Sequence, residues 1–107
     1  MRRGDLVTVA LQGDLGKPRP ALVIQSDLFD AHPSVAILPV TSELRDVPLF
    51  RILVNPSEQS GLNKLSQVMV DKPQSVAREK VGAVFGRLDD VTMLAVNRAL
   101  AVFLGFA

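Results

Sequence analysis

The chain has 107 residues, 48% of them hydrophobic, a formal net charge of +1, and no cysteine, tryptophan or tyrosine. A chain of this length holds one domain around one core, so residues 1–107 are taken as a single unit, and the near-neutral charge excludes the strong overall field of a broadly basic nucleic-acid binder. With one histidine and no cysteine, neither a disulfide framework nor a Cys/His zinc cluster can be built, and any metal would have to rest on carboxylates alone.

A mean hydropathy of +0.26 is high for so short a soluble chain. It predicts apolar surface shared with a partner subunit, and a homodimer is the expectation. The opening MRRGDLVTVALQGD is basic, but Gln12, Gly13 and Asp14 interrupt its apolar stretch too soon for a signal peptide. No apolar run of about eighteen residues follows, which predicts a cytoplasmic protein without a membrane span.

Val7, Val9 and Leu11 alternate with Thr8 and Ala10, the period of a half-buried first strand, and QGDLGKP reads as a short loop after it. A second strand is expected from Arg19 to about Ser26, then an irregular turn over SDLFDAHP, and a third strand in SVAILPVT. Leu49 to Val54 gives a fourth strand and Ser66 to Asp71 a fifth, which Pro73 ends or bends. Val76 to Leu88 is ambiguous, with a short strand in KVGAVFGRL weakened by its two glycines. Asp89 or Asp90 can cap a terminal helix that places Met93, Val96, Leu100, Phe103 and Leu104 on one face, with Gly105 at its end. Short strands closed by one helix predict a mainly β fold, a small bent antiparallel sheet or partial barrel with the helix against it.

Within GKPRPALVI, Pro20 restrains Arg19 and Pro18 restrains Lys17, because proline fixes its own φ and holds the preceding residue extended. Arg19 therefore starts from a stiff backbone at the mouth of a core strand. Two readings stand at this point: a basic residue on a tight entry turn, or a guanidinium placed for a ligand.

Taken in order, RGDLVTV, KPRPALVIQSD, AILPVTS and GLNKLSQVMVDKPQSV resemble the MazF/PemK family of toxins, and the closing VGAVFGRLDDVTMLAVNRALAVFLGF is similar to that family's terminal segment. The resemblance implies an SH3-like small barrel that dimerises, cuts single-stranded mRNA without a metal or other cofactor, and is neutralised by a cognate antitoxin with a flexible tail. It places the arginine of the family's Arg-Pro pair on Arg19, the threonine of its Pro-x-Thr-Ser turn on Thr41, and an acidic residue of the fifth strand on Asp71. An arginine that some members carry two positions before that acid is Met69 here, and the first loop is short.

Metal-free RNA cleavage uses the neighbouring 2′-hydroxyl as nucleophile, so the protein must move protons and stabilise charge on a five-coordinate phosphorus. Arginine's planar fork donates two hydrogen bonds to phosphate oxygens and suits the second task. Thr41 can reach another phosphate oxygen or fix the guanidinium, although Thr41 and Ser42 also suit a plain turn. Asp71 can take the hydroxyl proton or merely pair with Lys72. Lys17, Ser42, Arg45 and Lys64 are the expected RNA contacts, with Arg51 as a further aid. His32 lies in a Pro-flanked turn that matches no catalytic position of the family and is expected at the surface.

Two rival functions remain. IQSDLFDA followed by ILPVTSEL also resembles the CcdB-type gyrase poisons, which act by binding, though the chain lacks their terminal tryptophan. A catalytically inactive module that only holds an antitoxin or RNA is the other. The five phenylalanines read as core or interface residues, and no aromatic platform for base stacking stands out.

Overall fold

The computed structural model describes residues 1–11 and 17–107. The expected loop QGDLGKP thus falls largely outside the described residues. Among the described residues seven strands and one α-helix are formed: β1 (Asp5–Ala10), β2 (Pro18–Val23), β3 (Ser34–Thr41), β4 (Arg51–Val54), β5 (Ser66–Met69), β6 (Gln74–Ala77), β7 (Val81–Arg87) and α1 (Asp90–Leu104). The strands form one antiparallel sheet in the order β4-β5-β3-β2-β1-β7, with β6 also paired to β3.

The prolines lie where this sheet is interrupted. β2 pairs with β1 from Pro18 to Leu22 but with β3 only from Ala21 onward, so Pro18 and Pro20 sit where β2 has one neighbour. On its other side β3 pairs with β6 through Ser34–Ile37 and with β5 through Val40 and Thr41, and Pro39 falls at the handover between the two. A residue with no N–H is tolerated where a ladder has a gap.

Alternation along the strands gives the sheet two apolar faces. Leu6, Leu22 and Leu38 stand in register across β1, β2 and β3 and join Val40, Val54, Val68, Val70 and Leu88 in one core, which Val96 of the helix completes. Val7, Val9, Ala21, Val23, Val35 and Ile37 form a second core on the opposite face. The ends of the sheet are drawn together by residues 55–62, which leave β4 and lie against β7. Arg87 N–H donates to the Gln59 carbonyl at 2.8 Å. A Cβ on Gly86 would strike the Ser60 carbonyl, and one on Gly61, at φ +68°, would strike the Phe85 carbonyl. Only glycine lets these two backbones approach so closely.

Asp89 caps α1, its carboxylate accepting from the Thr92 N–H at 2.6 Å, and Gly105 ends the helix in the left-handed conformation at φ 85°. Met93, Val96 and Leu100 meet the core as expected. Phe103 and Leu104 do not: the covered stretch ends at Leu100, and the last turn leaves both about half exposed, at 49% and 45%. Likewise only Phe50 and Phe85 pack against the core, while Phe29, Phe103 and Phe106 are exposed.

Several strand limits differ from the sequence expectation. β4 starts at Arg51 because residues 48–50 turn back, with the N–H groups of Phe50 and Arg51 both donating to the Val47 carbonyl. β5 stops at Met69, and Asp71 lies in the following turn, closed by Lys72 N–H to the Met69 carbonyl at 3.2 Å. Pro73 thus follows a turn, and Gln74–Ala77 make a separate strand, β6. β2 ends at Val23; beyond it the Gln25 side chain takes over, accepting from the Ala36 N–H at 2.9 Å.

Candidate active site

The pairing of β2 with β3 runs Val23 with Ile37, Leu22 with Leu38, and Ala21 with Pro39. Extended two residues further, that register sets Arg19 opposite Thr41, beyond the last paired residues. There the strands part and a groove of about 540 Å³ opens, lined by Arg19, Pro20, Pro39, Thr41, Lys64 and Met69 among others. A second hollow of about 440 Å³ continues past Thr41, walled by Arg45, Phe50, Arg51, Met69, Asp71 and Lys72. Thr41, Glu43 and Met69 line both. Strand alternation puts Arg19 and Thr41 on the face of the second core, opposite the one that α1 covers.

Thr41 is half-buried, and its Oγ1 accepts from the Glu43 N–H at 3.0 Å. That contact is the turn expected of a threonine here, and it leaves the hydroxyl hydrogen available as a donor. Arg19 is exposed at the rim, held in β2 opposite Val9. Asp71 pairs with Lys72 Nζ at 3.7 Å, while its Oδ1 is buried with no hydrogen-bond partner among the described residues. A buried acceptor of this kind is costly to leave without a donor.

The structure therefore gathers Arg19, Thr41, Ser42 and Lys64 around the first hollow and Thr41, Arg45 and Asp71 around the second. Arg19 and Asp71 share no hollow; Thr41 links them. Lys17 is exposed just before β2 and lines neither. Arg51 is already engaged, its Nη1 donating to Gln67 Oε1 at 2.9 Å and to the Glu43 carbonyl at 3.1 Å. His32 is exposed, its Nδ1 accepting from the Ser34 N–H at 3.1 Å. Two residues absent from the sequence expectation matter for the shape: Pro39 at the fork of the strands, and the buried Gln67 beneath the second hollow. A glutamine among the apolar residues of SQVMV was the available signal for the latter.

Other hollows offer less. The crevice beneath the N-terminus, at Arg2, Arg3 and Asp27, holds only about 10 Å³. Among the described residues no group of three or more His, Asp or Glu side chains is placed to hold a metal ion, and no helix is long and apolar enough to cross a membrane.

A sheet of antiparallel strands bent around a core, one C-terminal helix, and an arginine–threonine groove where two strands part define a small β-barrel-like domain with a polar groove at one end. The chain belongs to the PemK-like, MazF-like toxins of type II toxin-antitoxin systems, whose family model matches residues 2–104. It is 46% identical to a probable endoribonuclease MazF of Mycolicibacterium smegmatis over 108 residues, which spans 100% of this chain and 99% of that protein. Among solved structures it is similar to a mycobacterial endoribonuclease in complex with its cognate antitoxin, with a TM-score of 0.84 at 22% identity over 100% of this chain and 97% of that one. A MazE-MazF complex from Deinococcus radiodurans matches with a TM-score of 0.78 at 22% identity, over 100% of this chain and 98% of that one.

Proposed function

We propose that this chain is the endoribonuclease toxin of a type II toxin-antitoxin pair, cutting single-stranded mRNA in the Arg19–Thr41 groove without a metal ion. The carrying observation is that Arg19 and Thr41 line one groove at the point where β2 and β3 part. The scissile phosphate lies between them. Arg19 donates its fork to the non-bridging oxygens and stabilises the charge of the five-coordinate phosphorus, and the flanking prolines limit the freedom lost on binding. The Thr41 hydroxyl, with its oxygen already accepting from Glu43, donates its hydrogen to the same group. Asp71, which walls the second hollow, accepts the proton of the attacking 2′-hydroxyl. As the 2′-oxygen bonds to phosphorus the P–O5′ bond breaks, the leaving 5′-oxygen takes a proton from water, and the products are a 2′,3′-cyclic phosphate and a 5′-hydroxyl. Ser42, Lys64 and Arg45 hold the RNA on either side.

Two partners belong to this reading. A second copy covers the outer side of α1, where Val91, Leu94, Val102 and Phe103, with Phe106 beyond the helix, leave more apolar surface than an isolated small domain usually shows. The antitoxin, by analogy with the complexes of similar structures, lays a flexible acidic and apolar segment over the cationic groove.

The test is incubation of purified protein with a long single-stranded RNA in EDTA, followed by mapping of the ends. Cyclic phosphate ends support the proposal. Intact RNA with antitoxin binding retained makes the chain a binding module, and trapped gyrase-DNA cleavage complexes make it a gyrase poison.

A further inference from the structure

Beyond Thr41 the chain leaves the sheet, and the backbone from Ser42 to Asp46 has no strand beside it. Gln67 stands directly across from Thr41 in β5 and is 6% exposed. Its side chain reaches past the end of β3 and supplies what a strand would have supplied. Oε1 accepts from the Arg45 N–H at 2.9 Å, and Nε2 donates to the Arg45 carbonyl at 2.8 Å. These are the two bonds that paired antiparallel residues exchange, made here by one amide. Arg51 Nη1 donates to the same Oε1 and to the Glu43 carbonyl, while the Glu43 N–H is bound to Thr41 Oγ1.

We propose that Gln67 is a positioning residue of the cleavage site: its amide fixes the backbone of the Thr41–Arg45 turn and so sets the Thr41 hydroxyl in the groove. The proposal rests on the ribonuclease reading above for its effect on catalysis, but not for the clamp itself. Gln67 lines neither hollow, and both lone pairs of Oε1 are in use, so it acts through its neighbours and not on RNA. The linkage is continuous: Gln67 to Arg45 on one side, Gln67 through Arg51 to Glu43 and then Thr41 on the other. A purely apolar residue of the same length would fill the space and leave the Arg45 N–H and carbonyl to find new partners.

Gln67→Met, Gln67→Glu and Thr41→Val, with the double variant Gln67→Met/Thr41→Val, separate this role from plain support of the fold. Each is measured for kcat and KM on a single-stranded RNA oligonucleotide and for hydrogen exchange at individual amides. Gln67→Met is expected to lower kcat roughly ten- to a hundredfold with KM changed less than about twofold. The Glu43 amide, which does not touch Gln67, should exchange faster, and the double variant should be no slower than Thr41→Val alone. Gln67→Glu keeps the acceptor for Arg45 and Arg51 but loses the donor, so it falls between wild type and the methionine variant; it also serves if the methionine variant does not fold. Unchanged exchange at Glu43, or losses that multiply in the double variant, would overturn the proposal. If the wild-type protein cuts no RNA, the ribonuclease reading fails, and the Glu43 exchange rate still decides whether Gln67 holds the turn.

Discussion

Arg19 and Thr41 each lie two residues beyond Ala21 and Pro39, the last residues that β2 and β3 pair, and both line the groove that opens there. The ladder stops there for a chemical reason. Pro18 and Pro20 stand at the β2 positions whose backbone turns to β3, as Ile24 does in donating to the Ala36 carbonyl, and they supply no N–H there, so β2 has no donor to continue the ladder. The same residues that end the pairing stiffen the backbone on both sides of Arg19. Groove and stiff-backed cation thus share an origin in Pro18 and Pro20, the two prolines that flank Arg19.

Arg19→Ala should lower kcat/KM by roughly 10²–10³-fold, the cost of losing one charge-stabilising donor from a preorganised site. Arg19→Lys should recover little of it, because an ammonium point charge cannot make the parallel pair of hydrogen bonds that a guanidinium gives a phosphate. Cleavage rates of the three proteins on one RNA, with circular dichroism to confirm the fold, provide the check. A lysine variant at wild-type rate would mean that Arg19 contributes charge and not geometry.

Thr41→Ser keeps the hydroxyl and should retain most activity, whereas Thr41→Val removes both the donor to the phosphate and the acceptor for Glu43 N–H. A loss of roughly 10²-fold is expected for valine. Neither the wild type nor the serine variant should respond to EDTA. Activity that disappears with chelator and returns with magnesium would refute the metal-free mechanism.

Much of this arrangement was legible in the order of residues. Period-two alternation marked β1, and the prolines of KPRPALVI announced a strand that opens stiffly beside a charge. What escaped was set by contacts distant in sequence. Asp71 left the fifth strand because its neighbour β4 runs out beyond Arg51, where the Phe50 N–H turns to the Val47 carbonyl, and Lys72 N–H then closes a turn onto Met69. Phe103 and Leu104 share the helical period of Val96, but periodicity cannot tell where the sheet beneath a helix ends. Gln67 escaped because its partner is the backbone of Arg45, and no side-chain pattern points to a backbone group.

Gly86→Ala should destabilise the fold without touching the groove. Its new Cβ would meet the Ser60 carbonyl where residues 55–62 lie against β7, and the backbone on at least one side must move. Overpacking of this kind costs about 1–3 kcal/mol. Urea unfolding should show a lower midpoint with an unchanged slope, and the RNA-cleavage rate measured well below the midpoint should stay near that of the wild type.

Asp89 gives the fold an acid-dependent element. Hydrogen bonds from the Thr92 side chain and backbone N–H hold its carboxyl below the ordinary value of 3.8. A carboxylate whose folded pKa is depressed contributes stability that is fully present above the unfolded value and is lost as pH falls through the folded one. Asp89→Asn keeps a competent helix cap but removes the charge that faces the positive end of α1. The two proteins should therefore differ most in thermal midpoint at neutral pH, with wild type higher, and the difference should shrink only once the pH drops below about 3.8. Thermal melts from pH 7 down to pH 2.5 would follow it; a difference that stays constant through that range would assign the stabilisation to the cap geometry alone and not to the ionised carboxylate.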